Sequence, residues 1–129
     1  MVTGALGKLY QDGEIIIRQG ETGNNMYVIQ DGEVEVILDS GDHEIQLDVH
    51  GPGAFFGEMA IFDRDVRSAT VRALGEVRVL TVDKKNLMRR VHEDPSLAFR
   101  LVETMSQRIR ELVDKVAALE NEERKEKLV

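Results

Sequence analysis

Glycine is distributed unevenly along this 129-residue chain, and the distribution limits the folds that the chain can adopt. All 11 glycines lie at or before Gly75, and the last 54 residues contain none. Glycine supplies turns that need a positive φ angle and is unfavourable inside helices, because it loses much backbone entropy on ordering. The pattern therefore predicts a β-rich body followed by a helical segment.

The body contains short, mostly apolar runs that are separated by turn signals. In one run Val34, Val36 and Leu38 point to one face, as in a strand with alternating sides. Asp31-Gly32 separates two runs and predicts a two-residue hairpin turn. The predicted strands are Glu14–Arg18, Met26–Gln30, Glu33–Leu38, His43–Val49, Ser68–Ala73 and Glu76–Val82. Their number and spacing predict a small antiparallel sandwich or barrel.

The hydrophobic period changes after Asp83. This residue is a suitable N-cap for a helix that ends near His92. Pro95 then interrupts the chain, and Ser96 caps or enters a long helix that runs from Leu97. The end of this helix, residues 120–129, is predicted to be frayed and solvated.

The long helix carries an apolar seam over residues 98–119. Its members recur at alternating spacings of four and three: Ala98, Val102, Met105, Ile109, Leu112, Val116 and Leu119. β-Branched residues at the a positions, with mostly Leu or Met at d, favour a parallel two-stranded coiled coil. We therefore expect a homodimer, the alternative being one amphipathic helix packed on its own barrel.

Composition excludes several classes of protein. The absence of cysteine rules out disulfides, thiolate metal sites and a cysteine nucleophile. No apolar run is long enough to span a membrane and the N-terminus lacks a signal-peptide pattern, so we expect a cytoplasmic protein without a membrane partner. The net charge is −7, with 17 acidic against 10 basic residues in 1–96. Because acidic surfaces repel phosphate backbones, we expect no nucleic-acid binding by this chain alone.

Residues 56–71 place a glycine, an acid, a short apolar turn and an arginine between two β-like runs. If the residues after Gly57 form a helical turn, its free N–H groups face an anion. Arg67 is a permanently charged planar donor suited to phosphate oxygens, and Ser68 adds a hydroxyl. A carboxylate such as Glu58 only accepts hydrogen bonds, so it suits a sugar hydroxyl. From the residues alone, a surface ion pair between Glu58 and Arg67 is an equally good interpretation.

The same stretch resembles the phosphate-binding cassette of cyclic nucleotide-binding domains. That pattern runs Phe-Gly-Glu-(Leu/Met)-Ala, about six variable residues, and Arg-(Ala/Ser/Thr)-Ala. The chain has Phe56-Gly57-Glu58-Met59-Ala60, six residues, and Arg67-Ser68-Ala69. Similarity to the family also extends through 10–21, the predicted hairpin at 26–36 and the glycine turn at 51–53.

The resemblance implies a fold and a domain organisation. The fold is mainly β with helices: an antiparallel β-roll or jelly roll (double-stranded β-helix) with a short cassette helix and a long C-terminal dimerisation helix. The β-roll domain, with a short flanking helix, would occupy residues 1–96, and the long helix would occupy 97–129.

The resemblance also implies which residues bind the phosphate. Arg67 and the backbone N–H groups of Ala60 and Ala69 would hold the cyclic phosphate. Ser68 would add a phosphate contact or reach the base.

Other positions correspond to the sugar and base contacts of the family. Glu58 with Gly57 would bind the ribose 2′-hydroxyl, and Met59 belongs to the same cassette. Val36 and Leu47 fall where the family lines its base pocket with apolar side chains.

The helical segment is most similar to the bacterial catabolite-activator branch, in which a long helix dimerises and closes over the base. Aligned through Pro95, Arg108 takes the position of an arginine that pairs with the cassette glutamate, which implies a pair with Glu58. The activator presents a Thr-Ser pair to adenine where this chain has Leu112 and Val113. Apolar contact with the base is what remains.

The resemblance favours cAMP over cGMP as the ligand. Some cGMP-selective members carry an arginine where this chain has Asp48, and they favour threonine in the position of Ser68. A serine partly imitates that threonine, so cGMP remains an alternative ligand.

The sequence predicts a regulatory sensor that transmits ligand binding to its C-terminal helix, and no enzyme. His43, His50 and His92 show no metal-ligand spacing, so neither a metal nor a cofactor is expected. The alternative is a domain of the same fold that binds no ligand, or binds cGMP, and serves as a dimerisation or interaction module. The activator branch continues past its long helix into a DNA-binding helix-turn-helix module, so the chain is expected to be either a sensor from a larger regulator, channel or enzyme, or a stand-alone adaptor.

Overall fold

The computed structural model describes residues 6–63 and 66–127. Along the chain these residues form β1 (Lys8–Tyr10), β2 (Ile15–Ile17), β3 (Asn25–Asp39), β4 (Glu44–His50), β5 (Phe55–Phe56), α1 (Met59–Phe62), β6 (Thr70–Asp83), α2 (Lys84–Glu93) and α3 (Ser96–Lys127). Strands dominate up to residue 83 and helices follow, which confirms the division indicated by the glycines.

The two long strands β3 and β6 form the centre of an antiparallel sheet. The strand order is β1-β6-β3-β4, with β2 also paired to β6 and β5 also paired to β3. The β3–β6 register runs from Asn25 opposite Asp83 to Ile37 opposite Thr70. Among the described strands the sheet does not close on itself. The prediction of a mainly antiparallel β fold with helices is confirmed.

The hairpin predicted at Asp31-Gly32 is wrong. β3 continues through these two residues, and β6 continues through Gly75, so each pair of predicted strands is a single long strand. The register shifts on both sides of Asp31, and Gly32 and Gly75 both have positive φ angles. Because β3 and β6 stay paired before and after this point, the glycines form bulges in the ladder instead of a turn.

The hydrophobic core lies on the faces that the long strands bury. Ile29 and Val34, on either side of the β3 irregularity, have no exposed surface. Burial of an apolar side chain of this size contributes about 1.5–3 kcal/mol. The core cluster consists of Ile17, Ile29, Val34, Phe56, Val71, Ala73, Val77 and Val79. Phe56 belongs to it, so the residue directly before the cassette glycine is anchored in the core.

The chain divides into two compact units, and the division falls within α2. The first unit ends at Leu87 and the second begins at Met88. The domain boundary after residue 96, which the resemblance implies, stays a prediction. The Asp83 carboxylate accepts a hydrogen bond from the N–H of Asn86 at 2.7 Å, which confirms Asp83 as the N-cap of α2.

The long helix α3 is continuous from Ser96 to Lys127. Residues 120–127, for which fraying is predicted, are helical, and residues 128 and 129 lie outside the described residues. Five seam residues are 60–65 % exposed: Val102, Ile109, Leu112, Val116 and Leu119. The seam is therefore largely open in the single chain. No helix in the described ranges is long and apolar enough to cross a membrane.

Candidate ligand-binding site

The cassette begins where β5 ends. Phe56 is paired with Tyr27 of β3, and the two rings stack with their centroids 5.2 Å apart. Gly57 follows with φ +78°, a left-handed conformation that glycine adopts without strain. The N–H of Phe62 donates to the carbonyl of Glu58 at 3.0 Å, which closes the turn of α1. The helical turn predicted after Gly57 is present.

Arg67 is a buried charged group, with 8 % of its surface exposed. Its Nη1 donates to the Gly57 carbonyl at 3.0 Å, and its Nη2 donates to the Asn25 carbonyl at 2.9 Å. Its Cζ lies 5.9 Å from the centroid of the Tyr27 ring, within the cation–π range. These are the two hydrogen bonds that the guanidinium makes in the described part of the chain. Three of its five N–H donors therefore remain for an anion.

Backbone pairing also fixes the position of Arg67. Its N–H donates to the carbonyl of Glu21, and its carbonyl accepts from the N–H of Gly20, both at 2.9 Å. Thr22 and Val66 form an antiparallel bridge beside this pair. The turn after β2 thus lies beside the Arg67 backbone and fixes the position from which the side chain extends.

Glu58 occupies the position directly before α1 and is 9 % exposed. An ionised carboxylate that is largely removed from water depends on hydrogen-bond donors, and a sugar hydroxyl is such a donor. Since Glu58 and Arg67 are both buried, the alternative of a surface ion pair does not describe them.

The remaining cassette residues lie closer to solvent. Ser68 and Met59 are exposed, and the Ser68 hydroxyl contacts the Met59 sulfur at 3.6 Å. The N–H of Ala60 makes a long hydrogen bond of 3.3 Å to the Gly57 carbonyl, and Ala69 is half-buried. The six-residue spacer of the motif includes residues 64 and 65, which lie outside the described residues.

Val36 and Leu47 are neighbours in the sheet. Val36 of β3 lies opposite Asp48 of β4, and the next β3 residue, Ile37, lies opposite Gln46. Leu47 is therefore the extra residue of a bulge next to Val36. Leu47 is 41 % exposed and Val36 is half-buried. Their role as base contacts stays a prediction.

Three predicted site residues belong to the second unit. Arg108, Leu112 and Val113 all lie on α3, and the last two are largely exposed. Their contacts with a base, and the pair between Arg108 and Glu58, stay predictions.

Two parts of the arginine's surroundings carry little signal in the sequence. Asn25 contributes its backbone carbonyl, which any residue type provides, so no side-chain signal marks it. Tyr27 lies in the motif that resembles the family, but an aromatic residue in a strand is common enough to be read as core. The feature that indicates a place near the cassette is the strand pairing of Tyr27 with Phe56.

The shifted pKa values lie outside the cassette. Burial, and then the charge of Glu14, raises the pKa of Tyr10. A hydrogen bond from the Ser96 hydroxyl, followed by the interaction with Arg100, lowers the pKa of Asp94. Within residues 6–63 and 66–127, no group of three or more His, Asp or Glu side chains could hold a metal ion.

The family profile described as "Cyclic nucleotide-binding domain" matches residues 8–94, which is more than half of the chain. The chain belongs to this family. The matched region contains all six described strands, the cassette and α2.

Relatives of this domain occur in several regulatory proteins. The cAMP-dependent protein kinase regulatory subunit of Schizosaccharomyces pombe is 41 % identical over 81 residues, which cover 63 % of this chain and 19 % of the relative. The crystal structure of Thermus thermophilus catabolite activator protein has a TM-score of 0.77 at 29 % identity, covering 87 % of this chain and 53 % of that one. This likeness confirms the jelly-roll fold with a C-terminal helix.

A further solved relative is the EAL enzyme Bd1971. Its cAMP-bound form has a TM-score of 0.62 at 35 % identity, and the match covers 81 % of this chain and 28 % of Bd1971. A cGMP-bound form of the same enzyme matches with a TM-score of 0.64. The chain spans about a fifth to a half of the length of the curated relatives that it matches.

Proposed function

We propose that this chain is a regulatory sensor domain that binds a cyclic nucleotide, preferably cAMP, and transmits binding to α3. Arg67 and the backbone N–H groups of Ala60 and Ala69 hold the cyclic phosphate. Glu58 and Gly57 bind the ribose 2′-hydroxyl. One observation carries the proposal: Arg67 is buried beside the cassette glycine, with its guanidinium bonded to the Gly57 carbonyl.

The surroundings of Arg67 suit a small, singly charged phosphate ester. The guanidinium is already largely removed from water and is oriented by two carbonyls, so ligand binding orders it little further. A charge-assisted hydrogen bond gains strength where water is excluded. A phosphate oxygen next to Gly57 could therefore accept the remaining N–H groups at low entropic cost.

The base end of the proposed site is apolar. In this proposal Val36 and Leu47 would line it from the sheet, and Leu112 and Val113 of α3 would contact the base. Ser68 and Met59, at the exposed side of the cassette, add contacts to the phosphate or the base. The pair between Arg108 and Glu58 is part of the same proposal, and it would link the cassette to the helix.

The preference for cAMP rests on the relatives and on one position. Two of the relatives carry cAMP or catabolite activation in their names, and Asp48 takes the place of an arginine found in some cGMP-selective members. Bd1971 has been solved with either nucleotide, so cGMP is the second candidate ligand.

We further propose a parallel homodimer through the seam at 98–119. The open apolar positions of α3 support it, since a heptad seam of this composition buries its residues against a second helix. Contacts that change around Arg67 on ligand binding would then shift α3 and alter the dimer. A domain that only dimerises, without a ligand, is the remaining alternative.

Calorimetric titration of the chain with cAMP and with cGMP tests the sensor proposal. We expect binding of both, with cAMP the tighter. Absence of heat, together with no shift of the thermal midpoint by either nucleotide, would contradict the proposal and leave the dimerisation module.

Substitution of Arg67→Gln tests the assignment of the phosphate group. Removing one partner of a buried charge pair costs about 2–5 kcal/mol, so we expect cAMP affinity to fall at least about thirtyfold. Arg18→Gln is the matched control, since it removes the same charge from an exposed arginine near the same turn. Equal affinities in the two variants would show that Arg67 does not bind the phosphate. Thermal midpoints without ligand separate binding from folding defects.

A further inference from the structure

Gly23 lies against the guanidinium of Arg67. A Cβ atom built on Gly23 would stand 2.5 Å from Nη2, 2.7 Å from Nε and 2.8 Å from Cζ of Arg67. Separations this short do not occur between a real Cβ and its neighbours. The arginine can therefore take its observed position only because residue 23 has no side chain.

Space, and not backbone conformation, is what requires glycine at this position. Gly23 is not among the glycines with positive φ, so an alanine could adopt its backbone conformation. Gly20, three residues earlier in the same turn, shows the opposite case: its φ is +87° and nothing lies within 4 Å of a Cβ built there. Gly57 combines both requirements, with φ +78° and a contact to Arg67 Nη1 at 3.0 Å.

The guanidinium is thus held on several sides. The Gly57 and Asn25 carbonyls accept two of its N–H groups, the Tyr27 ring lies within cation–π distance, and Nη2, Nε and Cζ occupy the space that a side chain at residue 23 would need. We infer that Gly23 is a positioning residue: by having no side chain, it leaves the space in which the Arg67 guanidinium bonds to the two carbonyls, so that the remaining donors point to a phosphate. This inference rests on the proposed function of the site.

A methyl group at position 23 would move the arginine and leave the fold in place. The atoms that it would strike are the far end of a flexible side chain, which can rotate away without displacing backbone. The guanidinium would then lose its bonds to the carbonyls and its orientation. Since geometry decides the strength of such charge-assisted bonds, ligand affinity would fall with it.

The test is a calorimetric titration of Gly23→Ala with cAMP. We expect the cAMP affinity to fall roughly ten- to a hundredfold, as for the loss of one charge-assisted hydrogen bond. Gly51→Ala is the matched control, because Gly51 needs no positive φ and a Cβ there meets nothing within 4 Å. Its affinity should stay within about twofold of the unmodified chain, which is the scatter expected for a neutral surface change.

A second background separates positioning from a general structural role. In Arg67→Lys the side chain ends in a single compact ammonium group, which lacks the two-armed group that a Cβ at residue 23 would strike. Adding Gly23→Ala to Arg67→Lys should therefore lower the cAMP affinity by less than about threefold. The NMR signal of Arg67 Nε–Hε, assigned through its loss in Arg67→Lys, should also shift in ligand-free Gly23→Ala.

Each outcome decides between the two hypotheses. No binding by the unmodified chain would overturn the proposed function, and this inference with it. Binding by the unmodified chain, with unchanged affinity in Gly23→Ala or an equal loss in both backgrounds, would overturn the inference alone. If Gly23→Ala unfolds the otherwise unmodified chain but not the Arg67→Lys variant, the clash with the guanidinium is supported; unfolding in both backgrounds would contradict it.

Discussion

The two units of the chain differ in which kinds of side chain they bury and which they expose. In the first, the charged Arg67 is buried, and both its side chain and its backbone bond to groups of the same chain. In the second, apolar residues of α3 such as Ile109 and Val116 are about 60 % exposed. This reverses the usual partition, in which apolar groups are buried and charged groups are exposed.

Each exception suggests a different kind of partner. Among the described residues, the buried Arg67 guanidinium has N–H donors to spare, which suits a small anion, and its contacts come from the same chain. A largely exposed apolar seam suits a second macromolecule with a similar apolar surface. We therefore expect phosphate recognition to be a property of the single chain, and the state of α3 to depend on a second copy.

The largest expected effect comes from a charge placed in the seam. Ile109→Glu removes an apolar side chain from both helices of the proposed dimer, which costs about 3–6 kcal/mol per dimer at about 1.5–3 kcal/mol for each. We expect the dimer dissociation constant to rise at least about a hundredfold in sedimentation velocity, while cAMP binding persists. Gln107→Glu adds the same charge outside the seam and should leave association unchanged. If both variants associate equally well, the exposed seam of α3 does not form the dimer, and the proposed contrast between the two units is wrong.

A smaller effect is expected at the ribose. Glu58→Gln replaces a charged acceptor with a neutral one, so we expect cAMP affinity to fall about tenfold. The sharper readout is 2′-deoxy-cAMP, which lacks the hydroxyl: the ratio of the two affinities should shrink in Glu58→Gln and stay constant in the exposed control Glu21→Gln. An unchanged ratio in Glu58→Gln would remove Glu58 from the ribose site.

The smallest effect concerns the start of α3. Hydrogen bonds from Ser96, and then Arg100, lower the pKa of Asp94 below its ordinary value of 3.8. A group with a lowered folded-state pKa stabilises the fold above its unfolded pKa, and that stabilisation is lost as the pH falls through the folded value. At pH 7, Asp94→Asn should thus slightly lower the midpoint temperature of thermal unfolding, followed by the helical signal. The difference from the unmodified chain should vanish at a pH below the folded-state pKa of Asp94. A difference that persists at low pH would mean that the charge of Asp94 is not responsible.

Residues with a strong local signal could be predicted from the sequence. The absence of glycine after Gly75 indicates the helical segment, Asp83 marks the start of α2, and the cassette motif predicts the turn at Gly57. The motif also assigns Arg67 to the phosphate, a role that stays a prediction; in the structure its Nη1 bonds to the Gly57 carbonyl. In each case a side chain, or the lack of one, determines the local structure.

Other features depend on distant parts of the chain. Asp31-Gly32 has the composition of a hairpin turn, but β6 pairs with β3 on both sides of it, and tertiary pairing overrides the local preference. The carbonyl of Asn25 and the empty space at Gly23 matter only because Arg67, more than 40 positions later, comes to lie beside them. No local pattern encodes such contacts.

The continuous pairing of β3 with β6 has a consequence for the kinetics of folding. Ile37 and Thr70 are 33 positions apart, whereas Asn25 and Asp83 are 58 apart. Because closing the shorter loop costs less chain entropy, we expect pairing to nucleate at the first of these pairs and to spread toward the second. The Asn25 carbonyl, which accepts a hydrogen bond from Arg67, then reaches its native position last. A nucleotide would bind only after the folding transition state, so it should slow unfolding and leave the folding rate nearly unchanged.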